Sequence, residues 1–186
     1  MLTRPLLAAL TTTALTVPSL ARAETSSPYA GQETRAIKSL SEADLEELRR
    51  GGGWGLAKAA ELNGMPGPAH VLELAGEIGL TAEQVAAVEA LRDEMQAAAI
   101  ETGARLIALE TELEAGFSDA TITEAELKSL VMQIAETRGE LRFIHLRTHL
   151  KTVPVLNRHQ VMMYNQLRGY GSGADGHGGH TMQHGQ

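Results

Sequence analysis

The sequence predicts an all-α protein built on a long antiparallel helical hairpin with short flanking helices. First, no proline occurs between residues 69 and 153, and apolar residues there recur every three or four positions. Second, this run has one strong interruption, at residues 118–122, which divides it into two long helices. Third, the chain contains only one Trp, three Tyr and two Phe among its 186 residues, which suits thin, closely packed helices.

Three short helices are expected before the hairpin. Ser41, with Asp44 three residues later, is an N-cap signal for the first helix, and the glycines at 51–53 end it. Pro66 and the Gly-Pro pair that follows it force a turn before the third helix. The predicted bounds of the second and third helices are about 54–62 and 69–78.

The first long helix is predicted to start at Thr81, an N-cap residue followed by Glu83 and Gln84 in the first turn. It reaches Phe117 without a proline, and at about 1.5 Å of rise per residue such a helix is roughly 50 Å long. One face carries an apolar stripe with helical spacing, formed by Val85, Val88, Leu91, Met95, Ala98, Thr102, Leu106, Leu109, Leu113 and Phe117.

The second long helix is predicted to follow the break at 118–122, with Thr123 and Glu126 as a capping box. It continues to about Thr152, because Pro154 disfavours further helix. Two long helices joined by a short loop pack antiparallel, and Asn157 then caps a last short helix that ends near Arg168. The apolar stripe of the second long helix is Leu127, Leu130, Ile134, Leu141 and Ile144.

Gly103 and Gly139 each lie in the middle of a long helix, where glycine costs about 1 kcal/mol relative to alanine. A hairpin that folds near Ala120 places the two glycines roughly opposite each other. They either permit a close helix approach or a kink, or they are tolerated on a solvated face. The sequence leaves these alternatives open.

Composition excludes several classes of protein. A net charge of −7 without clustered Lys and Arg argues against nucleic-acid binding. The absence of cysteine removes disulfides, thiolate metal sites and a Cys nucleophile, so any metal must bind His, Met or carboxylate groups. The chain has no G-x-S-x-G, H-E-x-x-H, P-loop or G-x-G-x-x-G motif. We therefore expect a protein that is not an enzyme.

Residues 1–23 are typical of a cleaved signal peptide. They combine Arg4, an apolar run from Leu6 to Leu20, and an A-x-A cleavage pattern that ends at Ala23. The alternative, a membrane anchor, is disfavoured because the run is shorter than the roughly 20 residues that span a bilayer. Cleavage leaves 14 basic and 23 acidic residues, so we expect an acidic exported protein that is not inserted in a membrane.

The mature chain is predicted to have three parts. Residues 24–40 form a flexible N-terminal segment, 41–170 the helical domain, and 171–186 a disordered tail rich in Gly and His. Imidazole suits Cu(II), Ni(II) and Zn(II), and a thioether adds affinity for Cu(I), so the tail is a candidate collector of a Cu, Zn or Ni ion. The alternative is a solvated low-complexity tail or a cloning remnant. The candidate ligands are His177, His180, Met182 and His184.

A second candidate metal site lies within the hairpin. His145 and His149 are four residues apart, which places both imidazoles on one helical face. Antiparallel pairing brings Met95 and the carboxylate of Glu94 near their level on the other helix, so His145, His149 and Glu94 form a candidate ligand set. The alternative is a pair of half-buried structural histidines. His70 and His159 stand alone in the sequence and have no predicted role.

Two segments resemble the LTxxQ motif of the Spy/CpxP-like periplasmic proteins. Leu80-Thr81-Ala82-Glu83-Gln84 matches the motif at the start of a long helix, and Leu156-Asn157-Arg158-His159-Gln160 is a degenerate copy with Asn in place of Thr. The likeness covers about residues 72–170 and, given the His-rich end, is strongest to metal-resistance members. It implies a periplasmic location and a curved dimeric cradle of helical hairpins, hence a homodimer.

Two functions remain open from the sequence. The first is a periplasmic protein that buffers or senses a transition metal in envelope stress or metal resistance. The alternative is an ATP-independent chaperone that holds unfolded clients on a concave helical surface. A regulatory role that passes a signal to a membrane sensor protein is compatible with either.

Overall fold

A computed structural model of the chain describes residues 27–170, in which all regular structure is helical. Residues 27–31 belong to a separate unit and form a turn, with the Ala30 amide donating to the Ser27 carbonyl at 3.0 Å. The unit that starts at Gln32 carries every helix of the described part. The helices are α1 (Glu42–Arg49), α2 (Lys58–Glu61), α3 (Pro68–Glu73), α4 (Ala82–Ser118), α5 (Glu124–Thr152), a 3-10 helix (Val153–Val155) and α6 (Arg158–Leu167).

Helices α4 and α5 form the predicted antiparallel hairpin. Lys151 near the end of α5 reaches Glu94 in the first half of α4 at 2.8 Å. Farther along, the Arg138 guanidinium lies 2.7 Å from the Glu110 carboxylate, closer to the connecting loop. As the paired residue on α4 moves from position 94 to position 110, its partner on α5 moves back from position 151 to position 138. This reversed order confirms the antiparallel hairpin. Within residues 27–170, no helix has both the length and the apolar character needed to cross a membrane.

The tight connection between α4 and α5 depends on an alanine in a left-handed conformation. After the C-cap Asp119, Ala120 has φ 53° and donates its amide to the Phe117 carbonyl at 3.2 Å. The next amide, of Thr121, donates to the Gly116 carbonyl at 3.1 Å. This is the Schellman arrangement, in which glycine is the usual residue at the left-handed position. Thr123 then opens α5 with the predicted capping box to Glu126.

The main core lies between α1 and the two long helices, and it extends further toward the N-terminus than predicted. Ile37 and Leu40 are buried in it, so the end of the segment predicted as flexible, 24–40, belongs to the folded unit. The polar Ser39 between them donates to the buried carboxylate of Glu110 at 2.7 Å. The remaining buried members of this core are Leu45, Leu48, Ala99, Leu106, Ile134, Leu141 and Ile144.

The two mid-helix glycines have different environments. A Cβ at Gly103 would lie 2.6 Å from the backbone carbonyl oxygen of Leu48, so this glycine allows α1 to approach α4 closely. Gly139 is exposed, and a Cβ there would meet nothing within 4 Å. The close-approach hypothesis therefore holds for Gly103, but the neighbouring backbone is that of α1. The solvated-face hypothesis holds for Gly139.

A reciprocal pair of glutamines joins the start of α6 to the start of α4. Gln84 closes the capping box of Thr81, and Gln160 closes that of Asn157. Each amide nitrogen also donates to the other amide oxygen at 2.9 Å. Each amide nitrogen also donates its second hydrogen to a backbone carbonyl. Gln84 donates to Val155 at 2.8 Å, and Gln160 donates to Gly79 at 3.0 Å. The two LTxxQ-like segments thus form one interlocked cap with every amide hydrogen used.

Three sequence expectations about local structure are corrected. Helix α2 starts at Lys58 because Trp54 and Gly55 have φ values of 42° and 69°, which no α-helix accommodates. Helix α3 ends at Glu73, and the chain continues in turns toward Gly79. Phe117, the last residue of the predicted α4 stripe, is 59% exposed because the core ends before the loop.

Candidate functional site

A cavity of about 340 Å³ lies beside the hairpin and is lined by residues of α2, α3, α4 and α5 and by the segment that follows α1. Two histidines of α5, His145 and His149, contribute to its wall together with Met95 of α4 and His70 of α3. The glycine run 51–53 that follows α1 forms another part of the wall. The cavity therefore collects three imidazoles and one thioether from three helices.

His145 is one of the residues that line this cavity, and it has a buried ring nitrogen without a hydrogen-bond partner. The residue is 2% exposed, and its Nε2 has no hydrogen-bond partner. Burial lowers the pKa of His145, the adjacent His149 lowers it further, and the carboxylate of Glu47 opposes both effects. The ring is therefore neutral at pH 7. A buried polar atom without a partner costs about 1–3 kcal/mol, so this nitrogen is a ready ligand for a group that enters the cavity.

His149 has its ring orientation and tautomer defined by one backbone hydrogen bond. Its Nδ1 lies 2.8 Å from the Met65 carbonyl oxygen, which can only accept, so Nδ1 carries the hydrogen. In the neutral ring Nε2 then has a free lone pair. A carbonyl that accepts from the second nitrogen is the usual support for a metal-binding histidine. A Cβ at Gly67 would lie 2.7 Å from this Nε2, so only glycine allows the backbone at position 67 to pack this closely against the ring.

Glu94 does not join the two histidines. Its side chain is 53% exposed and binds Lys151 at 2.8 Å, with Arg147 at 3.7 Å. In the part of the chain that the structure describes, no group of three or more His, Cys, Asp or Glu side chains lies close enough to hold a metal. The neighbouring Met95 contributes to the cavity instead, because one residue of helix rotates the side-chain direction by about 100°.

His70 belongs to the site although the sequence offered no reason to single it out. Its Nδ1 lies 3.0 Å from Glu61, which also accepts from Arg168 at 2.7 Å and from the Tyr170 hydroxyl at 2.8 Å. Burial raises the pKa of Glu61, but the hydrogen bonds from Tyr170 and Arg168 outweigh it, so the pKa is lowered overall and the group stays ionised. His159, the other lone histidine, is exposed on α6 and is absent from the residues that line the cavity.

No family model, curated protein or solved structure matches this chain. The likeness to the Spy/CpxP-like proteins therefore remains a prediction from the two motif segments. The signal peptide predicted at 1–23 and the tail ligands His177, His180, Met182 and His184 lie outside the described residues.

Proposed function

We propose that this chain is an exported, periplasmic protein that buffers or senses a transition metal, Cu, Zn or Ni, in envelope stress or metal resistance, and that it is not an enzyme. The observation that carries this proposal is the imidazole pair at the cavity. His145 has a buried Nε2 without a partner, and the hydrogen bond of His149 to Met65 leaves its Nε2 available. Neutral imidazole nitrogens on one helical face are ligands for borderline transition metals.

The tail supplies the second part of the proposal. It contains four candidate ligands within a glycine-rich sequence, and short His-rich tracts of this composition are typical of metal-binding segments. These are His177, His180, Met182 and His184. We propose that the tail collects metal ions in rapid exchange, whereas the cavity binds one ion more firmly. Metal binding at the two sites should then differ in affinity. Binding to the tail should depend on the tail ligands, and binding in the cavity on His145 and His149.

A chaperone is the second candidate, and one surface favours it. Met132, Phe143 and Leu150 are 63%, 58% and 60% exposed and lie at spacings of 11 and 7 residues, hence on one outer face of α5. Charged Arg142 and Arg147 border this face, and an apolar strip with a charged rim suits an unfolded client. The same strip is also the surface we propose for the homodimer. Unfolded clients or a membrane sensor are the partners of this second candidate.

Calorimetric titration with Cu(II), Ni(II) and Zn(II) tests the main proposal. The samples are the mature chain, the chain truncated after Tyr170, and the truncated chain with H145Q and H149Q. H159Q is the matched control, because His159 is exposed and outside the cavity lining. We expect truncation to remove the weak sites and the double variant to remove the remaining one. Metal binding that none of these changes alters would contradict the proposal.

The chaperone candidate is tested on the same samples. An unrelated unfolded protein is allowed to aggregate while light scattering is followed, with and without the mature chain. Protection that is lost in F143E and L150E, but kept in the histidine variants, would assign client binding to the outer face of α5. Scattering unchanged by the mature chain rules this candidate out.

A further inference from the structure

We propose that the cavity lined by α2, α3, α4 and α5 is a site for monovalent copper, held by Nε2 of His145, Nε2 of His149 and the thioether sulfur of Met95. This inference rests on the proposed metal-binding function and specifies its inner site. It replaces the carboxylate of Glu94 with the sulfur of the next residue along α4. The three side chains line one cavity, and none of them is a carboxylate.

Both imidazoles are prepared for a metal before it arrives. The Met65 carbonyl holds His149 with the hydrogen on Nδ1, so Nε2 needs to lose no proton on binding. His145 loses no protein hydrogen bond, because its Nε2 has none. The backbone of Gly67 packs closely against the His149 ring, since a Cβ there would lie 2.7 Å from Nε2, and this contact helps to hold the ring in place. A metal ion bound here would give the unsatisfied nitrogen of His145 a partner.

The ligand set favours a soft ion. Thioether sulfur binds Cu(I) in preference to harder divalent ions, which prefer additional imidazole or carboxylate ligands. His70 lines the same cavity, but among residues 27–170 no third side chain of His, Cys, Asp or Glu lies close enough to the pair to share a metal ion with it. Glu61, the carboxylate in the cavity wall, is already engaged by Arg168 and His70.

The cost of burying charge also favours a monovalent ion at this site. The free-energy cost of moving an ion from water into a low-dielectric site rises with the square of its charge, so a divalent ion costs roughly four times as much as a monovalent one. Arg50 and Arg92 also line the cavity, but each is ion-paired with a carboxylate, of Glu47 and of Asp93. A site of imidazole and thioether ligands, with paired charges around it, therefore favours a monovalent ion over a divalent one.

The first measurement is an anaerobic competition between the protein and a chromophoric Cu(I) chelator. It uses the chain truncated after Tyr170, so that the tail does not contribute. We expect one Cu(I) per chain, with M95L lowering the affinity at least about tenfold. M132L is the matched control, because Met132 lies exposed on the outer face of α5, and it should leave the affinity unchanged. M95L preserves an apolar side chain of similar volume, and thermal unfolding verifies that the variant folds.

The second measurement is copper X-ray absorption on the unmodified truncated chain, which needs no variant. We expect one sulfur and two imidazole nitrogens around Cu(I). A spectrum that nitrogen ligands alone explain, without a sulfur contribution, would overturn the inference. If the truncated chain binds Zn(II) or Ni(II) more tightly than Cu(I), through His145 and His149, the inference fails while the proposed function stands. If neither the truncated nor the mature chain binds any of these ions, both fail.

Discussion

Substituting Gly103 with alanine should weaken the contact between α1 and the hairpin. Only proline is less favourable than glycine in a helix interior, so the higher helix propensity of alanine in G103A by itself stabilises the fold by about 1 kcal/mol. The new methyl carbon, however, would lie 2.6 Å from the Leu48 carbonyl oxygen and 3.2 Å from the carbonyl carbon. Both atoms belong to the backbone of α1, whose Leu45 and Leu48 are buried in the core, so relief requires the helix to move.

The size of the effect follows from two opposing contributions. Overpacking a well-filled core costs typically about 1–3 kcal/mol, and a clash with backbone belongs at the upper end of that range. We therefore expect G103A to lower the free energy of unfolding by about 2 kcal/mol after the gain in propensity is subtracted. G139A makes the same chemical change in the other long helix where nothing lies within 4 Å, and should raise it by about 1 kcal/mol.

The assay is urea unfolding followed by far-ultraviolet circular dichroism, at two protein concentrations so that any dimer dissociation is separated. The difference between the two variants isolates the clash, because the gain in propensity is common to both. That difference is about 3 kcal/mol, or about 9 °C in Tm for a chain of this size. A G103A protein as stable as G139A would refute the close approach of α1 and α4.

Three further outcomes follow from the caps and the loop. A120G should raise the free energy of unfolding by about 1 kcal/mol, because Ala120 has φ 53°, and the variant A120V should lower it in the same urea assay. Q160A should cost about 1–3 kcal/mol by leaving the amide of Gln84 short of a partner, and a double-mutant cycle with Q84A should show strong coupling. The pKa of Asp44 is lowered by hydrogen bonds from Ser41 and Trp54, so its stabilising contribution is present above its unfolded pKa of about 3.9 and is lost as the pH falls through the folded pKa. Unfolding measured from pH 3 to pH 7 should show that D44N lacks this acid-dependent step, whereas a step of equal size in D44N would contradict the assignment.

Much of the fold was predictable because the signals are local. The N-caps Ser41, Thr81, Thr123 and Asn157 each satisfy an amide within three residues, so the sequence alone locates the starts of four helices. The start of α2 was not predictable in this way. It depends on positive φ values at Trp54 and Gly55, and the indole nitrogen of Trp54 donates to Asp44 at 2.7 Å, ten residues away.

The candidate site was likewise predictable only in part. Helical spacing alone places His145 and His149 on one face, and antiparallel pairing alone brings α4 to their level. Whether Glu94 or Met95 turns toward the histidines depends on the rotation of α4 about its axis. The packing of the whole apolar core decides that rotation, and the result leaves Glu94 with Lys151 in solvent.

By itself, the sequence determined that this chain is helical, where its long helices begin, and which two histidines share a face, since each depends on residues within about one turn. Only the tertiary structure decided that Gly103 meets the backbone of α1, that Gln84 pairs with Gln160, and that Met95 and His70 border the same cavity as the histidine pair. These contacts join residues many positions apart, and their geometry is set by how several helices pack at once.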